Sequence, residues 1–124
     1  MRLLEAILNA NGRMPAGGVQ AEPLPAACDG ALPLVALTCI DARLNHRLPE
    51  VLGIPDDKYV WLPTAGNIIT GPLSSTMRSL ALACAIKGGK EIAGIGHSDC
   101  RVCKTTMLRL TDAFKVLGIE RQQL

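Results

Sequence analysis

Two short stretches contain most of the metal-binding residue types in this chain. One is "CIDAR" at 39–43 and the other is "HSDCRVC" at 97–103. Thiolate sulfur and imidazole nitrogen are common zinc ligands in proteins, usually in tetrahedral geometry. Three such ligands leave a fourth position for water, whose pKa zinc lowers from about 16 to about 7. Cys39, His97 and Cys100 are therefore predicted to hold one zinc ion with an open position for chemistry.

An acidic and a basic residue follow the first of these cysteines at alternate positions. Because alternate residues of an extended segment point to the same side, Asp41 and Arg43 are expected to face the metal together with Cys39. Asp41 would accept a proton from metal-bound water while Arg43 holds it through two hydrogen bonds. Two alternatives stay open: Asp41 is itself the fourth ligand, or the pair is a salt bridge that holds a loop.

A further cysteine in the second stretch allows a different site. With Cys103 included, three thiolates and one imidazole would form a closed structural zinc site with no place for water. Cys100 and Cys103 also have the spacing of a redox pair, whose thiol pKa is lowered at a helix N-terminus. A helix that starts next to Cys100 would turn Cys103 away from the metal, and this favours the open arrangement.

The other cysteines and the other histidine are interpreted as structural. Cys28 and Cys84 are expected to be small core hydrophobes, and His46 to be a solvated residue on a polar helix. Five cysteines are an odd number and fall short of the density of a small secreted scaffold. They indicate reduced thiols or metal ligands, and hence a cytoplasmic location.

The segments around these stretches have the pattern of a mostly parallel α/β sheet with flanking helices. Strands are predicted at 33–38, 58–62 and 91–96: the first and third are apolar runs expected to be buried, and the second is rich in aromatic and β-branched residues. Helices are predicted over 2–10, part of 44–52, about 73–87 and about 101–117. After the first, Gly12 is able to take the left-handed C-cap conformation, and the third is expected to be largely buried. Strands that alternate with helices favour parallel pairing.

The two stretches directly follow the first and third predicted strands. In open α/β sheets, sites form at the carboxyl ends of strands, where successive connections leave in opposite directions. If the second strand lies on one side of the first and the third strand on the other, both stretches meet at that edge. A single site is therefore expected.

Length and charge limit the remaining possibilities. A chain of 124 residues predicts one domain, with 1–32 as an N-terminal helix and extended arm and 33–124 as the zinc-binding α/β domain. The net charge of +2 is scattered, which argues against a nucleic-acid partner or a membrane surface. No stretch approaches the roughly 20 apolar residues that span a bilayer.

At these residues the chain resembles the β-class carbonic anhydrases. That family carries a Cys-x-Asp-x-Arg stretch after its first strand and a His-x-x-Cys stretch after a later one, as "CIDAR" and "HSDC" do here. The resemblance includes "TAGNIIT" at 64–70, which is similar to the family's Ala-Gly-Asn loop, and covers roughly 2–118. The fold that it implies is of the β-carbonic anhydrase type.

The resemblance also implies a function and a set of site residues. Zinc-bound hydroxide would attack carbon dioxide and give bicarbonate, or would hydrolyse a related molecule such as carbonyl sulfide or carbon disulfide. The alternative is a non-catalytic, structural zinc-binding homologue. The residues implied are the zinc ligands Cys39, His97 and Cys100, the dyad of Asp41 and Arg43, and Gly66 and Asn67 in the substrate pocket.

Assembly and two departures complete the comparison. The resemblance implies a homodimer or a larger even oligomer, with residues 1–30 wrapping the partner. Arg101 stands where the family usually has glycine, which places a long cationic side chain beside the cleft. The family also continues beyond the position of Leu124 into another strand and helix. One sheet edge is thus expected to be uncovered unless a partner chain covers it.

Overall fold

Three parallel strands with helices on both faces make up the computed structural model, which describes residues 2–13, 23–41 and 43–123. The elements in chain order are helix α1 (Leu3–Gly12), strand β1 (Leu34–Cys39), helix α2 (Leu48–Leu52), strand β2 (Tyr59–Thr64), helix α3 (Ser75–Lys87), strand β3 (Ile92–Gly94) and helix α4 (Met107–Val116). Short 3-10 helices cover Ala26–Ala31, Asn45–Arg47, Asp56–Lys58 and Arg121–Gln123. The prediction of a parallel α/β fold is confirmed.

Strand β1 is the centre of the sheet. The strand order is β2-β1-β3, and both neighbours run parallel to β1, as the sequence predicted. All six residues of β1 are buried, because elements pack on both of its faces. The register pairs Cys39 with Thr64 and Leu37 with Gly94. The loops that follow the three strands therefore all leave the sheet at the carboxyl ends of the strands.

Alternate residues of β1 enter two separate parts of the core. Leu34 and Ala36 pack with the buried face of α1, with Cys28 and with Ile54 and Tyr59. Val35 points to the other face, where it packs with Leu80 and Ala83 of α3. The chain after α3 runs so close to β1 that a Cβ on Gly89 would lie 2.3 Å from Val35 Cγ2. Glycine at this position is what allows α3 to return directly into β3.

The N-terminal segment is packed onto the sheet of its own chain. Helix α1 buries Leu3 and Ile7, and the backbone N–H groups of Leu3 and Leu4 donate to the Glu91 carboxylate at 2.9 and 3.2 Å. An anion at a helix N-terminus also stabilises the helix dipole. The bond ties α1 to the residue before β3.

Two predictions for this segment are wrong. Gly12 is not a left-handed cap, because α1 includes it and ends at Arg13 with a right-handed φ of −90°. The stretch Ala26–Ala31 is not an extended arm, because it forms a 3-10 helix whose Cys28 is buried in the core. Residues 14–22 of the predicted arm lie outside the described residues.

Two elements predicted to be buried are largely exposed. Strand β3 lies at a sheet edge, and Ile92 is 48% exposed. Helix α3 buries only Leu80 and Ala83. Leu73, the first residue of the predicted helix, precedes the N-cap Ser74 and is almost fully exposed. The apolar periodicity predicted the helix correctly. It did not predict that the other described residues bury only a small part of the helix surface.

Helix α4 begins six residues later than predicted. Residues 101–104 form a turn, and Thr106 is the N-cap, since its side chain accepts a hydrogen bond from Arg109 N at 3.2 Å. No residue of α4 is buried, and Val116 and Leu117 are 87% and 73% exposed. None of the helices in the described ranges is both long and apolar enough to cross a membrane.

Candidate metal centre

The three predicted zinc ligands come together at the carboxyl edge of the sheet. Cys39 is the last residue of β1, and His97 and Cys100 lie in the loop after β3. One potential ligand atom from each residue lies within 4.8 Å of the others. Within the described ranges, no other group of three or more His, Cys, Asp or Glu side chains was found to meet this condition. The adjacency of β1 and β3 brings the two loops together.

The separation of the two sulfur atoms fits a tetrahedral zinc ion. Cys39 Sγ and Cys100 Sγ are 3.6 Å apart, and both residues are buried. Two sulfurs at about 2.3 Å from a tetrahedral zinc would lie about 3.8 Å apart. A zinc ion therefore fits between them with a movement of a few tenths of an ångström.

The imidazole of His97 is oriented as a metal ligand requires. Its Nδ1 lies 3.0 Å from the backbone oxygen of Ser98, so Nδ1–H donates to that carbonyl and Nε2 keeps its lone pair. Nε2 is buried and forms no regular hydrogen bond with a described residue, although the ring is close enough to Cys39 to lower the pKa of that thiol. A buried polar atom without a partner is costly, and a metal ion at this position would remove the cost.

The two thiols also favour a bound cation. The pKa of Cys39 is lowered from 9.0 to about 7, first by the neighbouring His97 ring and then by the backbone N–H groups of Asp41 and Gly66, against the opposing effect of burial. The backbone N–H of Cys103 acts to lower the pKa of Cys100, but burial and the adjacent thiols outweigh it and the pKa is raised. A cation between the two sulfur atoms would stabilise the thiolate of Cys39 and favour loss of the proton from Cys100.

Asp41 and Arg43 form a bidentate ion pair next to the ligands. Arg43 Nε donates to Oδ1 at 2.8 Å and Nη2 donates to Oδ2 at 2.6 Å. The backbone N–H of Arg101 donates to the same Oδ2 at 2.9 Å. These bonds hold the pKa of Asp41 well below its usual range, and the bonds from Arg43 have the largest effect. Asp41 is thus ionised and is not part of the three-ligand group.

Arg43 connects the two loops through a residue that the sequence analysis did not select. Its Nη1 donates to Asp99 Oδ2 at 3.2 Å, and its Nη2 donates to the backbone oxygen of Asp99. Asp99 also pairs with Lys104 and has a φ of +54°. Aspartate is one of the few residues other than glycine that tolerates this left-handed conformation. The aspartate within "HSDC" is the sequence feature that could have pointed to this role.

The predicted substrate-pocket residues lie in a tight turn after β2. Gly66 and Asn67 have φ values of +78° and +57°. The Gly66 N–H contributes to the lowered pKa of Cys39, which places this turn against the first predicted ligand. A Cβ on Gly66 would lie 3.7 Å from Cys103 Sγ. Asn67 Oδ1 is buried, and it has no hydrogen-bond partner among the residues that the structure describes.

Cys103 is outside the three-ligand group. It is exposed and lies in the turn over 101–104, so the argument that a helix would turn it away was wrong, because α4 starts only at Met107. Cys28 is a core residue as expected, and Cys84 is half-buried. His46 is exposed, as expected, but it lines a cavity that the sequence analysis did not foresee.

This cavity opens next to the candidate centre. It is a shallow depression of about 480 Å³, lined by Ile40, Asp41, Arg43, His46, Arg101 and Val102. Both members of the ion pair belong to its wall, so a small molecule in the cavity would lie next to this pair.

Known proteins provide the last comparison. "Putative carbonic anhydrase YtiB" of Bacillus subtilis is 29% identical over 91 residues, which are 73% of this chain and 49% of that protein. A carbon disulfide hydrolase of Saccharolobus solfataricus is 34% identical over 89 residues, 71% of this chain and 41% of the relative. "Beta-carbonic anhydrase 1" of Mycobacterium tuberculosis is 33% identical over 90 residues, 73% of this chain and 48% of the relative.

In each of these alignments the chain spans less than half the length of its relative. No family model matches the chain.

Proposed function

We propose that this chain, which belongs to the β-class carbonic anhydrase family, catalyses the zinc-dependent reversible hydration of carbon dioxide to bicarbonate. The observation that carries the proposal is the grouping of Cys39, His97 and Cys100, with ligand atoms within 4.8 Å of one another, beside an ion pair that bridges their two loops. Three ligands of this kind would leave one position of a tetrahedral zinc ion without a protein ligand.

In this proposal Cys39, His97 and Cys100 hold the zinc ion. When bound there, zinc lowers the pKa of a coordinated water from about 16 to about 7 and supplies a nucleophile at neutral pH. The hydrogen bond from His97 Nδ1 to the Ser98 carbonyl keeps Nε2 directed at the ion. Burial of both cysteines limits exchange of the ion with solvent.

Asp41 orients the nucleophilic water instead of taking its proton. Its carboxylate has a strongly lowered pKa because of Arg43 and the Arg101 N–H, so it accepts a hydrogen bond well but holds a proton poorly near neutral pH. The proton therefore passes to solvent through the open cavity. Arg43 keeps the carboxylate in place and at the same time links it to Asp99.

A second substrate class is supported by one of the relatives. The carbon disulfide hydrolase of Saccharolobus solfataricus is 34% identical to this chain. Carbon disulfide and carbonyl sulfide share with carbon dioxide a linear shape and an electrophilic carbon, so the same nucleophile would attack them. The three molecules are to be compared as substrates in one assay.

The proposed enzyme assembles as a dimer or a larger even oligomer. It works in a reducing compartment such as the cytoplasm. Apolar side chains with no cover from the described residues lie on α3, α4 and the edge strand β3, among them Ile86, Val116 and Ile92. Exposed apolar patches of this kind mark protein interfaces. All five cysteines are free thiols, which fits a reducing compartment.

Metal analysis combined with a stopped-flow hydration assay tests the proposal. We expect one zinc per chain and carbon dioxide hydration that is lost when a chelator removes the metal and returns when zinc is restored. A fully zinc-loaded protein that accelerates neither carbon dioxide hydration nor carbon disulfide hydrolysis would identify the chain as a non-catalytic zinc-binding homologue.

A further inference from the structure

One cation in the wall of the cavity beside the metal centre has no anionic partner among the described residues. Of the charged groups in its wall, Arg43 is paired with Asp41 and Asp99. The guanidinium of Arg101 makes no hydrogen bond or ion pair with any described residue.

The backbone around Arg101 is nevertheless firmly placed. Its N–H is bonded to Asp41 Oδ2 at 2.9 Å, and its carbonyl oxygen accepts a hydrogen bond from Thr105 Oγ1 at 2.8 Å. These two bonds fix the start of the side chain at the cavity wall, while the guanidinium keeps all its donors. An anchored cation of this kind loses less freedom when it binds an anion than one on a mobile loop.

The other wall residues define the kind of anion that fits. The guanidinium group is planar and weakly hydrated, and its donors match a planar oxyanion through two parallel hydrogen bonds. His46 adds a second nitrogen-bearing side chain, and Ile40 and Val102 provide apolar contact. Asp41, although ionised, is occupied by Arg43 and the Arg101 N–H. The wall therefore suits a small planar monoanion.

We propose that Arg101 is the anchor of a binding site for a small planar monovalent oxyanion at the mouth of the metal centre. The identification of bicarbonate as the natural occupant rests on the proposed function. In that case Arg101 holds bicarbonate next to the metal centre, so its removal raises the KM for bicarbonate in the dehydration direction while the KM for carbon dioxide changes little.

Nitrate is a suitable probe because it has the planar shape and single charge of bicarbonate and is not a substrate. The zinc-loaded full chain is titrated with nitrate while NMR follows the Nε–H signals of the arginines. We expect the Arg101 signal to shift on saturation, and Arg101→Ala to weaken nitrate binding by about tenfold. Arg101→Lys, which keeps the charge but not the planar fork, is expected to lie in between.

Arg78→Ala is the matched control, because Arg78 is an exposed arginine on α3 outside the cavity wall. Zinc content and circular dichroism of each variant show whether it is folded. Cobalt-substituted protein reports direct binding of nitrate to the metal through its visible spectrum. We expect Arg101-dependent binding with no change in that spectrum.

Three results would overturn the proposal: equal nitrate affinity in Arg101→Ala and Arg78→Ala, no binding up to about 0.1 M nitrate, or a cobalt spectrum that shifts with the same affinity in every variant. The last result would mean that the anion binds only at the metal. If nitrate binding depends on Arg101 but the protein hydrates no carbon dioxide, the proposed function fails and the anion site stands.

Discussion

The sulfur atoms of Cys39 and Cys100 lie 3.6 Å apart although 61 positions separate the two residues in the chain. This proximity follows from the parallel pairing of β1 and β3, whose carboxyl ends release the two loops at the same edge of the sheet. The ion pair of Asp41 and Arg43 then bridges the loops through Asp99 and the Arg101 N–H.

Loss of one proposed ligand should remove most of the zinc. We expect Cys39→Ala, His97→Ala and Cys100→Ala each to reduce the zinc content to a small fraction of one per chain, because two remaining ligands hold the ion poorly. Mass spectrometry of the metal in purified protein measures this. Cys84→Ala, which changes a half-buried thiol outside the group, is the control and should keep its zinc. Full zinc in Cys39→Ala would refute the single-site arrangement.

Cys103 should not contribute to zinc binding. We expect Cys103→Ala to leave zinc content and activity nearly unchanged, because Cys103 is exposed and is not part of the three-ligand group. X-ray absorption on the zinc-loaded wild type should find two sulfur ligands. A count of three sulfurs, together with weaker zinc binding in Cys103→Ala, would instead establish a closed structural site.

Asp41→Asn should lower activity without removing the metal. The amide keeps the shape of the side chain but loses the charge that holds Arg43, so we expect kcat/KM for hydration to fall about 10- to 100-fold at unchanged zinc content. Stopped-flow kinetics and metal analysis on the same sample separate the two effects. Asp112→Asn, an exposed carboxylate on α4, serves as the control. Wild-type kinetics in Asp41→Asn would mean that the pair only holds the loops together.

The Cys39 thiol should titrate near neutral pH in metal-free protein. Its pKa is lowered to about 7, chiefly by His97, so His97→Ala should move the titration back towards about 9. Because the folded chain then binds fewer protons than the unfolded chain, this thiolate stabilises the metal-free fold increasingly as the pH rises from about 7 to about 9. The stabilisation is lost as the pH falls through about 7. Ultraviolet thiolate absorbance follows the titration, and a midpoint that His97→Ala leaves unchanged would contradict this origin.

Assembly should depend on the exposed apolar surface of α4. We expect the wild type to sediment as a dimer or larger even oligomer at micromolar concentration and Val116→Glu to shift it towards monomer, because Val116 is 87% exposed. Val116→Ala is the milder control. Removal of residues 1–30, by contrast, would delete the core residues Leu3 and Ile7 and unfold the protein. A monomeric wild type in analytical ultracentrifugation would rule out the assembly.

Much of the site was predictable because it depends on local patterns. The apolar run before Cys39 could only be a buried strand, and a second such run ends just before His97. Strand ends are where parallel sheets collect side chains, so the spacing of the ligand types and the strand pattern together predicted their meeting. The two hydrogen bonds between Arg43 and Asp41 agree with the pairing that their two-residue separation suggested.

Other features depend on contacts that no local pattern encodes. The sequence by itself determined the parallel α/β fold and predicted Cys39, His97 and Cys100 as the ligands of one site. Only the tertiary structure decided the late start of α4, the exposure of β3 and α3, and the part played by Asp99 and Arg101. The physical reason is that burial and hydrogen bonding at these positions are set by neighbours distant in the chain. Asp99 takes a left-handed conformation where Arg43 and Lys104 bind it. Asp41 accepts the backbone N–H of Arg101, whose guanidinium has no partner among the residues that the structure describes.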